Sequence, residues 1–166
     1  MIRIAYDSPV GLLVVTETDG AITALGWGRA EPGDDTSLLA EARRQLDAYF
    51  AGERTDFDLP LAPAGSAFQR AVCDAMRAIP FGETSTYGEI ATELGASAQA
   101  VGNACGGNPI PILIPCHRVL GAGSLGGYSG VGGIETKVAL LRLEGAAGLL
   151  IRARLRVSRR AHRWRG

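Results

Sequence analysis

Residues 87–106 read Tyr-Gly-Glu-Ile-Ala-Thr-Glu-Leu-Gly-Ala-Ser-Ala-Gln-Ala-Val-Gly-Asn-Ala-Cys-Gly, a stretch that predicts a helix-turn-helix. The apolar positions indicate short helices over about 87–94 and 97–105, and Gly95 lies between them where the chain must turn. The second helix is made mostly of alanine, glycine and serine. Side chains this small allow close approach either to a binding partner or to a neighbouring helix.

Residues 114–123, just beyond the helix pair, read Ile-Pro-Cys-His-Arg-Val-Leu-Gly-Ala-Gly. They place a thiol, Cys116, directly before an imidazole, His117. This pair is a candidate nucleophile with its activator, because the thiolate is the reactive form of cysteine and a nearby imidazole can lower the thiol's pKa. A structural cysteine buried in the core is the alternative interpretation of Cys116.

The remainder of the chain reads as strands followed by helices. Runs rich in β-branched and apolar residues predict strands, Asp19-Gly20 predicts a hairpin turn, and helical spacing recurs in three further segments. Residues 53–65 resemble a linker, and Pro80 stops the helix that begins at Ser66. The predicted strands are 2–6, 11–18 and 21–27, and the predicted helices are 36–50, 66–79 and 134–144, the last with Val138, Leu140 and Leu141 inward. The domain division expected from this order is 1–60, 66–150 and an Arg-rich tail over 151–166.

The charge of the chain is unevenly distributed. The formal net charge of the 166 residues is zero, with 17 basic and 17 acidic side chains, yet the tail carries seven of the basic residues and no acid. The body is therefore acidic, and any contact with DNA must be local. Three cysteines without disulfide-framework spacing, no signal-peptide pattern at Met1 and no long apolar run predict a cytoplasmic protein without membrane contact.

Several separate motifs, in order, resemble the O6-alkylguanine-DNA alkyltransferases, also called methylated-DNA–protein-cysteine methyltransferases. The resemblance runs from about Phe68 to Glu144, and the N-terminal segment fits the family more loosely. The motifs are Phe68-Gln69, Ile79-Pro80-Phe81-Gly82-Glu83-Thr84, Thr86-Tyr87-Gly88-Glu89-Ile90-Ala91, Ala100-Val101-Gly102, Gly107-Asn108-Pro109, Ile114-Pro115-Cys116-His117-Arg118-Val119, Gly126-Gly127-Tyr128-Ser129-Gly130, and Lys137 to Leu141-Arg142-Leu143-Glu144.

The resemblance implies an α+β fold with two parts. A small N-terminal α/β domain with a short antiparallel sheet precedes a mostly helical C-terminal domain that contains a winged helix-turn-helix.

The resemblance also implies an activity and its catalytic residues. Cys116 accepts a methyl or small alkyl group from O6-alkylguanine in DNA, and from O4-alkylthymine. The thioether product is stable, so each protein molecule reacts only once. A relay from Glu144 through His117 and a water would lower the pKa of the Cys116 thiol and stabilise the thiolate. Asn108 would hold the active-site turn, and Tyr87 would donate a proton or hydrogen bond toward the departing guanine. No cofactor and no metal are expected.

The binding residues follow from the same resemblance. The family places its recognition helix in the minor groove of alkylated double-stranded DNA and flips the damaged base out of the stack. The backbones of Cys116 and Val119 would read the exocyclic amine of guanine, and the Ser129 backbone would contact the alkylated oxygen. The protein would act as a monomer. The expected substrate- and DNA-binding residues are Gln99, Ala100, Arg118, Val119, Tyr128 and Ser129.

Two positions, Gln99 and Cys73, depart from the usual family pattern. The family has Arg-Ala-Val-Gly in the recognition helix, whereas this chain has Gln99 in place of that arginine. Unlike arginine, glutamine offers no charge to an orphaned base or a phosphate. Cys73 stands where many members have tryptophan, and Cys105 is expected to be a small packed residue. The Arg-rich tail lies beyond the resemblance, and it is either a phosphate-binding arm, a solvated end or a helix packed on the body.

Other functional interpretations compete with this one. The principal alternative is a sensor that binds alkylated bases with weak or atypical transfer. A winged-helix regulator would need a further domain, and a Cys-His hydrolase would turn over repeatedly, which a single-use acceptor cannot do.

Overall fold

The computed structural model describes residues 1–31 and 35–148. The Arg-rich tail and its predicted contact with phosphates lie outside the described residues. Within the described ranges, no helix has both the length and the apolar character to cross a membrane. The strands are β1 (Ile2–Ser8), β2 (Gly11–Thr18), β3 (Ala21–Trp27), β4 (Ser85–Thr86) and β5 (Val119–Leu120), and the helices are α1 (Ser37–Phe50), α2 (Ala67–Arg77), α3 (Tyr87–Leu94), α4 (Ala98–Gly106) and α5 (Ile134–Glu144).

The N-terminal strands form an antiparallel sheet in the order β1-β2-β3. Burial alternates along β1, so that Ile4 lies opposite Val15 of β2 and both are buried, and a register shift at Thr16 and Glu17 interrupts the alternation between β2 and β3. Helix α1 packs against this sheet, and the Thr36 side chain accepts a hydrogen bond from the Leu39 amide (3.1 Å) to cap its first turn. The predicted strands and the predicted helix over 36–50 are confirmed within one or two residues.

The segment predicted as a linker, 53–65, packs against the sheet. Leu61 lies beside Ile22 as a parallel bridge, the Ile22 amide donates to the Pro60 carbonyl (2.8 Å), and Leu59 is buried. The prolines suggested a loop, but apolar residues at every second position, Phe57, Leu59 and Leu61, give the segment a strand-like face. The buried hydrophobic residues before and after this segment consequently form one cluster.

The predicted helix-turn-helix is present. Gly95 ends α3 in the left-handed region (φ 65°), and the Ser97 side chain caps α4 by accepting from the Ala100 amide at 3.1 Å. Ser97 therefore precedes α4 instead of beginning it. The strands β4 and β5, which pair in parallel, join the start of α3 to the chain just after Cys116.

Helix α5 follows a long glycine-rich loop and has a polar inner face. Leu140 and Leu141 are buried as predicted, whereas Val138 is only half-buried. Two charged residues, Lys137 and Glu144, are also buried. They are seven positions apart and so lie on one side of the helix, where α5 approaches the turn that carries Cys116.

Candidate active site

The turn before Cys116 is held by the side chain of Asn108. Its Nδ2 donates to the Ile114 carbonyl (2.9 Å), and its Oδ1 accepts from the Ile110 amide (3.0 Å). Within this loop Ile112 has a positive φ of 73°, which is strained for a β-branched residue and persists only where surrounding contacts enforce it. The geometry agrees with the role predicted for Asn108, because the loop leads directly into the short 3₁₀ turn Cys116–Arg118.

Burial favours the protonated thiol of Cys116 over the thiolate. Burial raises its pKa to about 11, although a hydrogen bond from Asn108 and the charge of Lys137 act in the opposite direction. This is the reverse of the lowered pKa expected from the sequence. The physical reason is that Cys116 is only 6% exposed, so loss of hydration outweighs its polar neighbours.

Glu144 is the most heavily hydrogen-bonded group at the site. Its Oε2 accepts from Tyr49 Oη and His117 Nε2, each at 2.7 Å, and Arg118 bonds both carboxylate oxygens through Nε (2.8 Å) and Nη2 (3.0 Å). Burial alone would raise the pKa of Glu144, but the charge and hydrogen bond of His117 and those of Arg118 lower it to about 2. Glu144 is therefore an anion.

The ionised carboxylate determines which nitrogen of His117 is basic. A carboxylate can only accept, so Nε2 of His117 carries the hydrogen that points at Glu144. In the neutral imidazole, Nδ1 then holds the free lone pair. This Nδ1 is buried and has no hydrogen-bond partner among the described residues. The arrangement gives the imidazole the orientation that a general base requires.

Arg118 is placed differently from its predicted role in binding DNA. It is 7% exposed, and besides pairing with Glu144 its Nη1 donates to the Ile79 carbonyl (2.7 Å). It borders a separate cavity of about 190 Å³ that does not include Cys116. Because the Glu144 carboxylate needs a counter-charge in the interior, the guanidinium turns inward and positions Glu144.

A small pocket in front of Cys116 brings other predicted residues together. Its volume is about 220 Å³, and its walls include Tyr87, Tyr128 and Ser129 together with Cys105. Burial raises the pKa of Tyr87, as does the proximity of Cys105 and Cys116, so its hydroxyl keeps the proton that a donor needs. Cys105, expected to be a packed small residue, is buried as expected and also borders this pocket.

The predicted recognition residues lie beside the pocket on α4. Gln99 is exposed and Ala100 is half-buried. Gly102 and Gly106 line the pocket, and they follow Gln99 by three and seven positions, so all three residues share one face of α4. Gln99 does not itself line the pocket.

Lys137 was missed as a functional residue by sequence reasoning. It is fully buried, and its Nζ donates to the carbonyls of Val119 (2.7 Å) and Gly127 (3.0 Å). It ties the turn after Cys116 to the glycine-rich loop, and its charge favours the Cys116 thiolate. Val119 itself has a buried side chain and can contribute only backbone atoms. The available signal was a lysine seven residues before Glu144 on a predicted helix.

Tyr49 was also missed. It belongs to α1, 95 residues away from Glu144 in sequence, and burial together with the Glu144 charge raises its pKa well above the usual value. Its hydroxyl therefore stays a donor. No pattern around residue 49 indicated contact with a distant carboxylate.

Metal binding has no support in the part of the chain that the structure describes. Within it, no three histidine, cysteine, aspartate or glutamate side chains are grouped as metal ligands.

The sequence matches one protein family over nearly all of the described chain. Residues 67–146 match the DNA-binding domain of 6-O-methylguanine DNA methyltransferase, and residues 1–63 match the ribonuclease-like domain of the same enzyme. A methylated-DNA–protein-cysteine methyltransferase from Mycolicibacterium paratuberculosis is 47% identical over 153 residues, which cover 83% of this chain and 88% of the relative. The chain belongs to the 6-O-methylguanine DNA methyltransferase family.

Relatives outside the mycobacteria and solved structures agree with this membership. The Methanosarcina acetivorans methylated-DNA–protein-cysteine methyltransferase is 41% identical over 152 residues, covering 85% of this chain and 96% of the relative. The crystal structure of Mycobacterium tuberculosis OGT in complex with DNA matches with a TM-score of 0.76 and 47% identity, over 85% of this chain and 91% of that one. The α+β fold expected from the resemblance is confirmed.

The raised pKa of Cys116 predicts how the thiol reacts with a simple electrophile. In the native protein, the rate of alkylation of Cys116 by iodoacetamide should rise about tenfold per pH unit from pH 7 to pH 9, because the thiolate fraction grows in that proportion below a pKa of about 11. Quenched time points and peptide mapping distinguish Cys116 from Cys73 and Cys105. A rate that levels off near pH 7 would instead indicate the lowered pKa expected from the sequence.

The Tyr49–Glu144 hydrogen bond predicts a loss of stability in Tyr49→Phe. The free energy of unfolding at pH 7 should fall by about 2 kcal/mol, because a buried hydrogen bond to a charged group is removed while the ring packing is kept. Urea denaturation measures the change. Tyr6→Phe is the matched control, since Tyr6 Oη donates to a buried carboxylate, Asp47 Oδ1, at 2.6 Å, and should show a similar loss. No change in Tyr49→Phe would show that the bond adds nothing net.

Proposed function

We propose that Cys116 is the residue that accepts the alkyl group in the repair reaction of this family. The protein acts in DNA repair, as a transferase that moves an alkyl group from DNA to a cysteine and is consumed after a single turnover. The substrate in this proposal is O6-alkylguanine, with O4-alkylthymine as a second. The observation that carries the assignment is a buried thiol, Cys116, at a pocket that also contains Tyr87 and is backed by the His117–Glu144 pair.

The reaction begins with removal of the Cys116 proton. His117 Nδ1 is the base in this proposal, acting through a bridging water, and the hydrogen bond from Nε2 to Glu144 stabilises the imidazolium that results. Lys137 favours the thiolate by its charge and needs no proton transfer for this. These two contributions offset part of the cost of forming a buried anion.

Alkyl transfer follows as a direct displacement. The Cys116 sulfur forms a bond to the alkyl carbon as the bond between that carbon and the base oxygen breaks, and the electron pair of the broken bond leaves with the base. Tyr87 donates its hydrogen toward the departing base and so reduces the charge that develops there. The pocket wall beside the transferred alkyl group is formed by Tyr128 and the backbone of Ser129. The product thioether has no route back to the thiol, and no cofactor takes part in these steps.

Binding of DNA in this proposal uses the face of α4 that carries Gln99, Gly102 and Gly106. The protein binds DNA. The small side chains of α4 would let its backbone approach the minor groove of alkylated duplex, with Gln99 in the position from which the flipped base departs. The monomeric state and the cytoplasmic location belong to the same proposal, and three free, buried cysteines suit a reducing compartment.

The sensor alternative has no support. Its defining feature would be a lesion pocket without a usable acceptor, whereas the thiol of Cys116 lines the pocket here. The relatives are named for transfer of a methyl group to cysteine.

The acceptor assignment predicts a change in protein mass. After incubation with a duplex that contains one O6-methylguanine, the intact protein should gain one methyl group, mapped by peptide analysis to Cys116. Cys116→Ala should bind the duplex and gain nothing, whereas Cys105→Ala, which removes the other thiol at the pocket, should still be methylated. Methyl on Cys105 would overturn the assignment. Demethylation of several substrate equivalents per protein would indicate a hydrolase.

The position of Gln99 predicts how its substitution alters DNA binding. Gln99→Arg should bind duplex more tightly and steepen the slope of log K against log[salt] by about 0.9, because one more phosphate-associated counterion is released. Ala40→Arg is the matched control, since it adds the same charge on an exposed position of α1. Equal slopes for the two variants would place Gln99 away from the DNA.

A further inference from the structure

Trp27, the last residue of β3, is anchored at the edge of the N-terminal sheet. Its Nε1 donates to the Val10 carbonyl at 2.9 Å, which fixes the orientation of the indole. The side chain is half-buried and packs against the hydrophobic core. Trp27 does not line the Cys116 pocket, and none of the reaction steps above involves it.

The far side of the indole contacts the glycine-rich loop. The ring of Tyr128 meets the indole edge-on, with centroids 6.2 Å apart and planes at 89°. Gly130 lies so close to the indole that a Cβ at this position would stand 2.6 Å from Trp27 Cη2. The indole therefore holds the loop at two points, Tyr128 and Gly130, and it does so from the N-terminal part of the chain.

Tyr128 links this contact to the pocket, because the residue that meets the indole is also part of the pocket wall. It borders the cavity together with Cys116 and Ser129. Burial raises the pKa of Tyr128, and the nearby Cys116 sulfur raises it further, so the two side chains are close. An alkyl group that reaches Cys116 must fit between the sulfur and this wall.

We propose that Trp27 is a positioning residue that limits the size of the alkyl group by holding Tyr128 in place as the pocket wall. This inference rests on the proposed transfer to Cys116. Removal of the indole would leave space behind Tyr128, into which the tyrosine and the glycine-rich loop can withdraw. The pocket would then admit larger groups, whereas a methyl group, which needs little space, would gain nothing.

The test compares two lesions in the same duplex, O6-methylguanine and O6-benzylguanine. Single-turnover rates of wild type, Trp27→Ala and Trp27→Phe are measured by intact mass. The ratio of the benzyl rate to the methyl rate should rise about tenfold in Trp27→Ala, the scale of a pocket that gains room for a few carbon atoms. Trp27→Phe retains a ring against Tyr128 and should change the ratio far less. Equal changes in both rates would show a purely structural role and overturn the proposal.

A second measurement does not depend on DNA repair. Cys116 is alkylated with N-methylmaleimide or N-cyclohexylmaleimide, and the ratio of the two rates is determined by peptide mapping. Trp27→Ala and Trp27→Leu should both raise the relative rate of the bulky reagent. Trp27→Leu is included because it keeps more apolar volume, so it still tests the proposal if the alanine variant does not fold. Leu38→Ala, which truncates a half-buried residue of α1, should leave the ratio unchanged.

The two measurements also separate the inference from the proposed function. If wild type transfers no methyl group to Cys116 but the maleimide ratio rises in Trp27→Ala, the proposed function fails and the role of the indole stands. If wild type is methylated and neither ratio changes, the inference fails alone.

Discussion

A buried carboxylate without hydrogen-bond and charge partners would destabilise the fold by several kcal/mol, and Glu144 is buried. The partners that Glu144 needs therefore organise the active site. Its partners come from parts of the chain that are far apart: Tyr49 from α1, and His117 and Arg118 from the turn after Cys116. None of these elements can move away without exposing the charge to an apolar interior. The position of Cys116, one residue before His117, is therefore fixed by the same constraint that holds the two halves of the chain together.

The pairing with Arg118 also assigns distinct roles to Glu144 and His117. His117 and the bidentate guanidinium of Arg118 together lower the pKa of Glu144 to about 2 despite its burial, so this carboxylate is a poor proton acceptor. The proton on His117 Nε2 consequently stays on the imidazole, and the free lone pair remains on Nδ1. In the proposed mechanism, Glu144 orients the base and does not itself take the proton. The N-terminal segment supports this arrangement through Tyr49, and its Trp27 contacts Tyr128 in the pocket wall.

Features set by local periodicity could be predicted from the sequence, and features set by burial could not. The strands and helices followed from alternation and helical spacing, and the structure adds that Ser66 and Ser97 cap their helices by accepting a hydrogen bond from the first turn. The pairing of His117 with Glu144 came only from the family resemblance, because 27 residues separate them. Arg118 was expected from the family resemblance to bind substrate or DNA, and its burial against Glu144 is not visible in the sequence. The direction of the Cys116 pKa was wrong for a related reason: the adjacent imidazole is visible in the sequence, whereas the desolvation that dominates is not.

A high resting pKa suits a nucleophile that can be used only once. Burial raises the pKa of Cys116 to about 11, which favours the less reactive thiol at pH 7 and so limits its consumption by small electrophiles. In the proposed mechanism, activation takes place in the DNA complex, where Tyr87 meets the leaving base at the pocket. Binding energy from contacts remote from the sulfur, such as the proposed contacts of α4, then supplies what deprotonation costs. The same proposal links Gln99 to the rate of transfer as well as to DNA affinity.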